Sequence, residues 1–330
     1  MPRYLLDLPE EPAPRSWDPH SGPDPLRADT RYFGAVFLAM EPLLDNPELD
    51  FYLTWNWERL PAYGDRVVAV LLGDEVGRIP RYAGQVRAVF KSYGTHPVLG
   101  SSVLSDPSIT GLSSLVQYGV RWLRWLPSAF AHARSHRPGA VTTIPLGTYN
   151  QLDLPMVPIE QRTTDLFFAG SVAHKASLRQ RFGPKTLTRL DMLAAVKRLA
   201  DQRPGLRLDM RLTPDFGASV AAAPGDLSRG LMASKVCLAP RGTSLETFRV
   251  FEGLRAGCVV VGGRLPPHPF YAGAPVIQLD RWSQLDQVLP PVLDSPGELG
   301  RLHGAALSWW RDRCSEEAIG RFLAERLNAV

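Results

Sequence analysis

Short apolar runs alternate with amphipathic stretches along most of this 330-residue chain. In the first half, four apolar runs of strand length are separated by polar segments that contain glycine and proline; they cover residues 51–54, 67–72, 88–91 and 141–144. A longer stretch with helical spacing covers residues 112–132. Because strands that alternate with helices form parallel sheets, this half is predicted to be an α/β domain.

The second half repeats the pattern more regularly. Strand-like runs cover residues 166–169, 206–212, 236–239, 258–261 and 276–279, and helical stretches cover 187–202, 244–255, 296–311 and 316–327. A polar, proline-containing stretch ends near residue 155, and we place a domain boundary there. The predicted fold class is α/β, with two Rossmann-like domains (29–155 and 156–330) that face a central cleft and follow an extended, proline-rich arm over residues 1–28.

Composition narrows the class of protein. Hydrophobic residues make up 45% and charged residues 21% of the chain, which is typical of a globular protein with a core in each half. The formal net charge of +4 suits anionic ligands, but the chain lacks zinc-finger spacing, RNP-type motifs and Lys/Arg blocks, so no nucleic-acid partner is predicted. No apolar run approaches the roughly 20 residues of a transmembrane helix. Three cysteines and no visible signal peptide predict a cytoplasmic protein.

The segment that follows the strand-like run at 236–239 has the residue pattern that most clearly indicates a ligand site. Arg241 and Gly242 follow this run, and Thr243 and Glu246 have the spacing of a capping box, which predicts a helix start. Free backbone N–H groups at a helix N-terminus, with a forked guanidinium beside them, form an anion site suited to a diphosphate. An ordinary strand-to-helix turn with a solvated arginine is the alternative. Gly257 is predicted to end this helix.

Glu252 stands in the last turns of the same predicted helix, where the helix dipole disfavours an acidic side chain. One explanation is a ligand, because a carboxylate can accept hydrogen bonds from the two hydroxyls of a ribose. The other is an intrahelical pair with Arg249 or Arg255, three residues away on either side.

The sequence motifs of this half resemble a known family. The letters PRG at 240–242, followed by FRVFEGLRAGC at 248–258, are similar to the donor-site signature of exostosin-like glycosyltransferases. The run LFFAGS at 166–171 resembles the strand that opens their donor domain. Weaker similarities to their acceptor domain lie at 73–75 and 89–93.

The resemblance implies a GT-B enzyme that transfers a sugar from a nucleotide-diphosphate sugar to an acceptor hydroxyl, with inversion and without a bound metal or other cofactor. The loop after the run at 166–171 adds small residues and cations. Residues assigned to donor binding are Gly170, Ser171, Lys175, Arg179, Arg241, Gly242, Thr243, Ser244, Arg249 and Glu252. The predicted acceptor is a glycan, a lipid-linked saccharide or a small molecule.

Acceptor-side candidates lie in the first half. Asp74 and Glu75 follow the run at 67–72 and are candidates for the catalytic base, the alternative being a loop carboxylate that caps the next segment or pairs with Arg78.

Aromatic side chains offer faces for sugar rings or for core packing, and those assigned to the acceptor are Trp55, Trp57 and Tyr63. The aromatic and basic stretch 120–126 suits either a core helix or contact with a membrane surface.

Two other functions fit the same pattern. A nucleotide-sugar epimerase of GT-B type would keep the donor residues but would not need aromatic residues that bind an acceptor. A non-catalytic carbohydrate-binding protein would keep the fold without binding a nucleotide diphosphate.

Overall fold

Two separate β-sheets, each accompanied by helices, organise the chain. The computed structural model describes residues 1–100, 104–134, 141–149, 151–172, 181–213 and 224–329. Unit 1 consists of Met1–Pro97, Tyr118–Tyr149 and Asp312–Val330, and unit 2 consists of Val98–Gln117 and Asn150–Arg311. Eight α-helices lie within the described residues: α1 (Thr30–Met40), α2 (Ile109–Ala133), α3 (Pro184–Gln202), α4 (Pro224–Met232), α5 (Phe248–Arg255), α6 (Leu285–Leu293), α7 (Pro296–Arg313) and α8 (Glu316–Asn328).

The sheet of unit 1 has six strands: β1 (Arg3–Asp7), β2 (Arg15–Trp17), β3 (Asp50–Thr54), β4 (Gly64–Leu71), β5 (Val86–Lys91) and β6 (Val141–Thr143). Their order is β2-β1-β3-β4-β5-β6, and every neighbouring pair is parallel except β1 and β2. The central strand β4 ends in five consecutive buried residues. Continuous burial of this kind is expected where a parallel sheet is covered on both faces.

Helix α8 completes unit 1 although it follows the residues of unit 2 in the chain. It packs on α1, and Gly320 allows the close approach, because a Cβ there would lie 2.8 Å from the carbonyl oxygen of Val36. The hydroxyl of Tyr32 donates to the carbonyl of Cys314 at 2.6 Å, and Arg87 donates to the carbonyl of Leu327 at 2.8 Å. The first unit is therefore closed by contacts between residues far apart in sequence.

The sheet of unit 2 has five strands: β7 (Thr164–Ser171), β8 (Leu208–Thr213), β9 (Ser234–Ala239), β10 (Val259–Gly263) and β11 (Val276–Leu279). All neighbours are parallel, and the order is β11-β10-β9-β7-β8. The chain runs outward from β7 to β8 and then returns to the other side of β7 for β9. The strand order therefore reverses between β7 and β9, which defines the topological switch point of this sheet.

The predicted α/β class is confirmed, and most predicted strands and helices are present. Residues 1–28 differ from the predicted arm: β1 pairs along its whole length with β3, and Leu6 is fully buried. The division of the chain also differs from the predicted boundary, because residues 98–117 belong to unit 2 and the segment from Asp312 belongs to unit 1. Gly257 ends α5 as predicted, with φ of 67°.

Glycine is required at position 147, after β6. Its φ is 68°, and a Cβ there would overlap the ring of Tyr32 in α1. Gly147→Ala should therefore lower the free energy of unfolding by at least about 2 kcal/mol, since the left-handed backbone and the clash both penalise it. Gly304→Ala is the control: Gly304 lies within α7 with open space at its Cβ, so alanine should raise stability by about 0.5–1 kcal/mol. Urea denaturation measures both values, and equal effects would contradict the argument.

Candidate functional site

The switch point of the unit 2 sheet brings two arginine side chains to the carboxyl end of β7. Arg249, near the start of α5, donates from Nη2 to the carbonyl of Ala169 at 2.9 Å. Arg189, in α3, donates from Nη1 to the carbonyl of Ser171 and to its hydroxyl, the latter at 3.2 Å. In open α/β sheets this crevice is where ligands bind, because loops and helix N-termini converge there.

Arg189 is the more unusual of the two, because it is buried without a carboxylate. It is 9% exposed, and its Nε is buried without a hydrogen-bond partner. Within the described part of the chain its guanidinium has no ion pair with an acidic side chain. Burial, and secondarily the charge of Arg249, lower the pKa of Arg189 to about 10. The Arg189 guanidinium is therefore charged at neutral pH, and the burial of that charge lowers the stability of the fold.

Glu252 compensates only one of these charges. Its carboxylate lies 2.7 Å from Nη1 of Arg249, and its side chain is 2% exposed. This is the intrahelical pair with three-residue spacing that the sequence offered as an alternative for Glu252. Two guanidinium groups and one carboxylate leave the switch point with one excess positive charge, which suits an anionic ligand.

Gly170 and Ser171 form the end of β7 beside Arg189. A Cβ at Gly170 would lie 3.1 Å from the ring of Phe168, which is a tight contact, and 3.5 Å from Nη1 of Arg189, which is ordinary van der Waals contact. Of the donor residues predicted in this region, the structure thus brings Gly170, Ser171, Arg249 and Glu252 to one place. Lys175 and Arg179 lie outside the described residues.

The loop between β9 and α5 differs from its prediction. Helix α5 begins at Phe248, and its N-cap is Thr247, whose hydroxyl accepts from the backbone N–H of Arg249 at 3.4 Å. The predicted capping box of Thr243 and Glu246 does not form. The carboxylate of Glu246 is instead buried, where it accepts a 3.2 Å hydrogen bond from the hydroxyl of Tyr271. The helix therefore starts one turn later than its sequence pattern indicates.

Arg241 and Gly242 consequently stand apart from the helix N-terminus. The guanidinium of Arg241 donates to Gln117 at 2.5 Å, Ser114 at 3.3 Å and the carbonyl of Thr243 at 3.1 Å. A Cβ at Gly242 would meet only backbone oxygens at 3.8 and 3.9 Å, so space does not require glycine there. Thr243 is exposed, and Ser244 is 7% exposed.

A pocket of about 200 Å³ lies at the carboxyl ends of β9, β10 and β11, within unit 2. Its walls include the apolar side chains Leu245, Leu279 and Trp282. Its polar lining comprises charged and hydroxyl side chains: Asp106, Ser108, Thr110, Ser114, Thr188, Asp191, Arg198, Arg241, Arg264, Asp280, Arg281 and Ser283. Thr188, one of the lining residues, directly precedes Arg189 in α3.

In unit 1, Asp74 is held by several groups. Its carboxylate accepts from the backbone N–H of Arg78 at 2.6 Å and lies 3.4 Å from Nζ of Lys91, which is fully buried. Asp74 thus stabilises the turn that follows β4. Glu75 is half-buried beside it, and both carboxylates oppose the burial that lowers the pKa of Arg121.

The three aromatic candidates follow β3. The guanidinium of Arg27 lies 3.6 Å from the ring centroid of Trp55, and that of Arg78 lies 4.4 Å from the centroid of Trp57. Arg81 is a second cation over Trp57, at 5.4 Å, so Trp57 contacts two guanidinium groups and Trp55 contacts one. Tyr63 is 49% exposed. These side chains lie beyond a strand's carboxyl end in unit 1, where the sequence predicted an acceptor.

The described residues contain no helix that is long and apolar enough to span a bilayer. No cluster of three or more histidine, cysteine or acidic side chains suited to a metal ion occurs in the described ranges.

Sequence reasoning missed Arg189. It occupies an ordinary position in a predicted amphipathic helix, and nothing in its local pattern separates it from the other arginines of the chain. Only the folded structure shows that the guanidinium of Arg189 is buried at the switch point, where the strand order of the sheet reverses.

The fold and the site together define an α/β protein with two arginine side chains at the switch point of a parallel sheet, a candidate anion site, and a mixed polar and apolar pocket in the same unit. No family model and no curated protein matches the chain. Solved structures do match it, at low sequence identity.

The pneumococcal O-GlcNAc transferase GtfA, solved with UDP and GlcNAc, matches at 14% identity over 80% of this chain, with a TM-score of 0.45. TarM of S. aureus, solved with UDP, Fondaparinux and alpha-GlcNAc-glycerol, matches at 10% over 80%, with a TM-score of 0.41. Sucrose-phosphate synthase of Thermosynechococcus elongatus matches at 13% over 98%, with a TM-score of 0.44.

This chain spans 56% of the GtfA chain, 55% of TarM and 87% of the sucrose-phosphate synthase. All three similarities lie below a TM-score of 0.5.

Unit 2 contains two buried arginines, Arg162 and Arg189, and replacing each of them tests whether Arg189 has a structural role. Arg162 is 2% exposed and donates to the carbonyls of Ser234 at 2.8 Å and Ala256 at 2.6 Å. Arg162→Met should lower the free energy of unfolding by about 3 kcal/mol or more, because buried carbonyls lose their donors. Arg189→Met should lower it by a clearly smaller amount, because the lost hydrogen bonds to Ser171 are offset by removal of a buried charge that no acidic side chain of the described residues compensates. Urea denaturation compares the two, and an equal loss in both would show that Arg189 is a structural residue.

Proposed function

We propose that this protein is a glycosyltransferase that holds the diphosphate of a nucleotide-diphosphate sugar at the switch point of unit 2 and transfers the sugar to an acceptor hydroxyl. The observation that carries this proposal is the buried guanidinium of Arg189, which has no carboxylate partner within the described residues. Proteins rarely bury a charge without compensation unless a ligand supplies the compensation.

Two arginines suit a diphosphate better than a single phosphate or a carboxylate. Each guanidinium offers a planar fork of donors, so Arg189 and Arg249 together can hold oxygens of both phosphates. The N-terminus of α5 begins at Phe248, next to Arg249, and adds backbone dipoles of the same sign. During transfer, negative charge develops on the diphosphate as it leaves, and these fixed cations stabilise it without the need for a metal ion.

Glu252 acts through Arg249 in this proposal. Its side chain is 2% exposed and paired with the Arg249 guanidinium, so it orients that cation towards β7. A direct hydrogen bond to ribose, which the sequence suggested, is the competing assignment.

The pocket beside the switch point suits the nucleoside. Its apolar walls, which include Leu245 and Trp282, can pack on a base, and polar groups such as Asp191 and Thr110 can bind ring or ribose atoms. Arg241, which the sequence predicted as a diphosphate ligand, lines this pocket. In this proposal it contacts the nucleoside.

The acceptor side of the proposal lies in unit 1. Trp55, Trp57 and Tyr63 follow β3 and offer aromatic surface of the kind that stacks on sugar rings. The substrate class is therefore a hydroxyl-bearing acceptor with a sugar or similar ring.

Binding of diphosphate ligands tests the site directly. Calorimetric titration of pyrophosphate and of UDP, GDP and TDP should show binding of all ligands to wild type, with a nucleotide preference. Arg189→Met should weaken binding of pyrophosphate and nucleotides alike by about tenfold or more, since a charge-assisted hydrogen bond contributes roughly 1.5–3 kcal/mol.

Glu252→Gln distinguishes the two roles of Glu252 in the same titration. A loss that is equal for pyrophosphate and nucleotide supports orientation of Arg249, whereas a loss confined to nucleotides supports contact with ribose. Arg203→Met, which removes an exposed arginine paired with Asp294, is the control and should leave every affinity unchanged. Wild-type protein that binds none of these ligands would refute the proposed function.

Metal dependence gives an independent test. Because two guanidinium groups neutralise the leaving diphosphate in this proposal, sugar transfer or donor hydrolysis should continue in the presence of EDTA. The rate of nucleotide release from the donor identified by calorimetry measures this. Complete loss with EDTA, restored by magnesium or manganese, would show that a metal ion stabilises the leaving group instead.

A further inference from the structure

Helix α2 (Ile109–Ala133) presents apolar side chains to solvent and polar side chains to the protein. Its large apolar side chains that are 56–70% exposed are Ile109, Leu112, Val116, Leu123 and Phe130. Its polar side chains that are at most 9% exposed are Thr110, Ser114, Arg121 and Ser128. An ordinary surface helix has the opposite arrangement, because it packs its apolar face on the core. The exposed apolar face of α2 therefore needs an explanation other than packing within the chain.

The exposed apolar residues form one stripe along the helix. Four of them follow one another at intervals of seven residues: Ile109, Val116, Leu123 and Phe130. At 3.6 residues per turn, an interval of seven returns to nearly the same side of a helix, so these side chains lie within about 60° of one another. Single exposed apolar residues are normal on a protein surface, whereas a continuous row of them indicates an interaction site. Because every member lies on α2, the geometry of this one helix defines the stripe.

Hydrogen bonds hold the opposite side of α2 against the protein. Within unit 2, the hydroxyl of Thr110 donates to the carboxylate of Asp191 at 2.6 Å. Within unit 1, Nε1 of Trp125 donates to the carbonyl of Thr95 at 2.7 Å. Thr110 and Trp125 both lie on the side of the helix away from the stripe. These contacts keep the helix from turning its apolar side inward.

The charged residues of α2 are all of one sign. The helix contains no aspartate or glutamate, and its arginines are Arg121 and Arg124. Arg124 is exposed and directly follows Leu123 of the stripe, and the exposed Arg134 comes just after the end of the helix. Cations beside an exposed apolar face complement a surface that is both apolar and anionic, which is the character of a bilayer with acidic lipids.

We propose that the apolar stripe of α2 binds the surface of a bilayer that contains anionic lipids. The apolar side chains enter the boundary between head groups and acyl chains, and Arg124 contacts lipid phosphates at the surface. The helix lies in the plane of the bilayer. This binding goes beyond the proposed sugar transfer and requires neither a nucleotide nor an acceptor.

A second copy of the chain suits the stripe less well than lipid does. Paired helices use opposite charges beside their apolar seam, whereas two α2 helices side by side would bring only cations together. Gly119, whose Cβ position opens on empty space, and the exposed Pro127 also interrupt the row of side chains that a partner helix would interlock with. Fluid acyl chains can fill such irregularities.

Co-sedimentation with vesicles tests the proposal. The vesicles consist of phosphatidylcholine alone or of equal parts phosphatidylcholine and phosphatidylglycerol. Wild type should bind the mixed vesicles more tightly than the neutral ones, and added salt should reduce this difference because it screens the charges. Val116→Asp and Leu123→Asp should each weaken binding to the mixed vesicles by about tenfold or more, since each replaces an apolar group that enters the bilayer. Arg124→Gln should weaken it by about fivefold, the effect of one cation near an anionic surface.

Controls separate loss of the surface from loss of the fold. Leu26 is 73% exposed and lies outside α2, so Leu26→Asp should bind vesicles as wild type does. All of these substitutions replace exposed side chains, and the melting temperatures should stay close to that of wild type. Leu123→Ala keeps a residue that favours a helix and gives a second measurement, with binding weakened by about threefold or more.

Several results would overturn the proposal. They are failure of wild type to bind either kind of vesicle, equal binding to both kinds, or wild-type binding by the aspartate variants. Sedimentation velocity without vesicles tests the competing occupant. A monomer agrees with the proposal, whereas a dimer that dissociates in Leu123→Asp would show that a second copy covers the stripe. None of these measurements involves sugar transfer, so their outcome is independent of the proposed function.

Discussion

The constraint on which this structure depends is the cost of placing a charge out of water without a partner of opposite sign. Lys91 meets Asp74 and Arg249 meets Glu252, whereas the buried Arg162 is held by backbone carbonyls. Arg189 of unit 2 meets the constraint less well: it is 9% exposed, has no acidic partner within the described residues, and leaves its Nε without an acceptor.

In the proposed function, the buried cation at Arg189 has a use. A leaving diphosphate gains negative charge, and a preorganised cation stabilises it. Arg189 also lies at the carboxyl edge of a parallel sheet, where a side chain can be held rigidly and still meet a ligand. Stability lost at such a position is the usual consequence of preorganisation at a functional site.

The sequence predicts those features that depend on local periodicity. Runs such as 236–239 and 258–261 become buried strands because continuous apolar residues suit a parallel sheet, and Gly257 ends a helix because it adopts a left-handed backbone. Prediction from the sequence fails where a residue far away in the chain determines the local structure. Helix α5 starts late because the Glu246 carboxylate binds the hydroxyl of Tyr271. Strand β1 was missed because its pairing with β3 joins segments almost fifty residues apart across a proline-rich stretch.

The candidate site in unit 2 shows the same limit of prediction from the sequence. The local motif at 240–258 indicates Arg249 and Glu252, since their spacing is visible in one helix. Arg189 carries no such signal, because burial without an acidic partner is a property of tertiary packing. Only the folded chain distinguishes it from the arginines that are solvated or paired.

The closure of unit 1 by α8 has a consequence for synthesis on the ribosome. The hydrogen bond between Tyr32 and Cys314 joins residues 282 positions apart, so the face of α1 that receives α8 stays uncovered while everything between is made. At 5–20 residues per second, that interval lasts roughly 15–55 s. Unit 2 lies wholly within the intervening segment and can fold during this time, whereas unit 1 must wait. The nascent chain thus carries an exposed apolar surface for much of its synthesis, a surface on which chaperones can act before the native helix arrives.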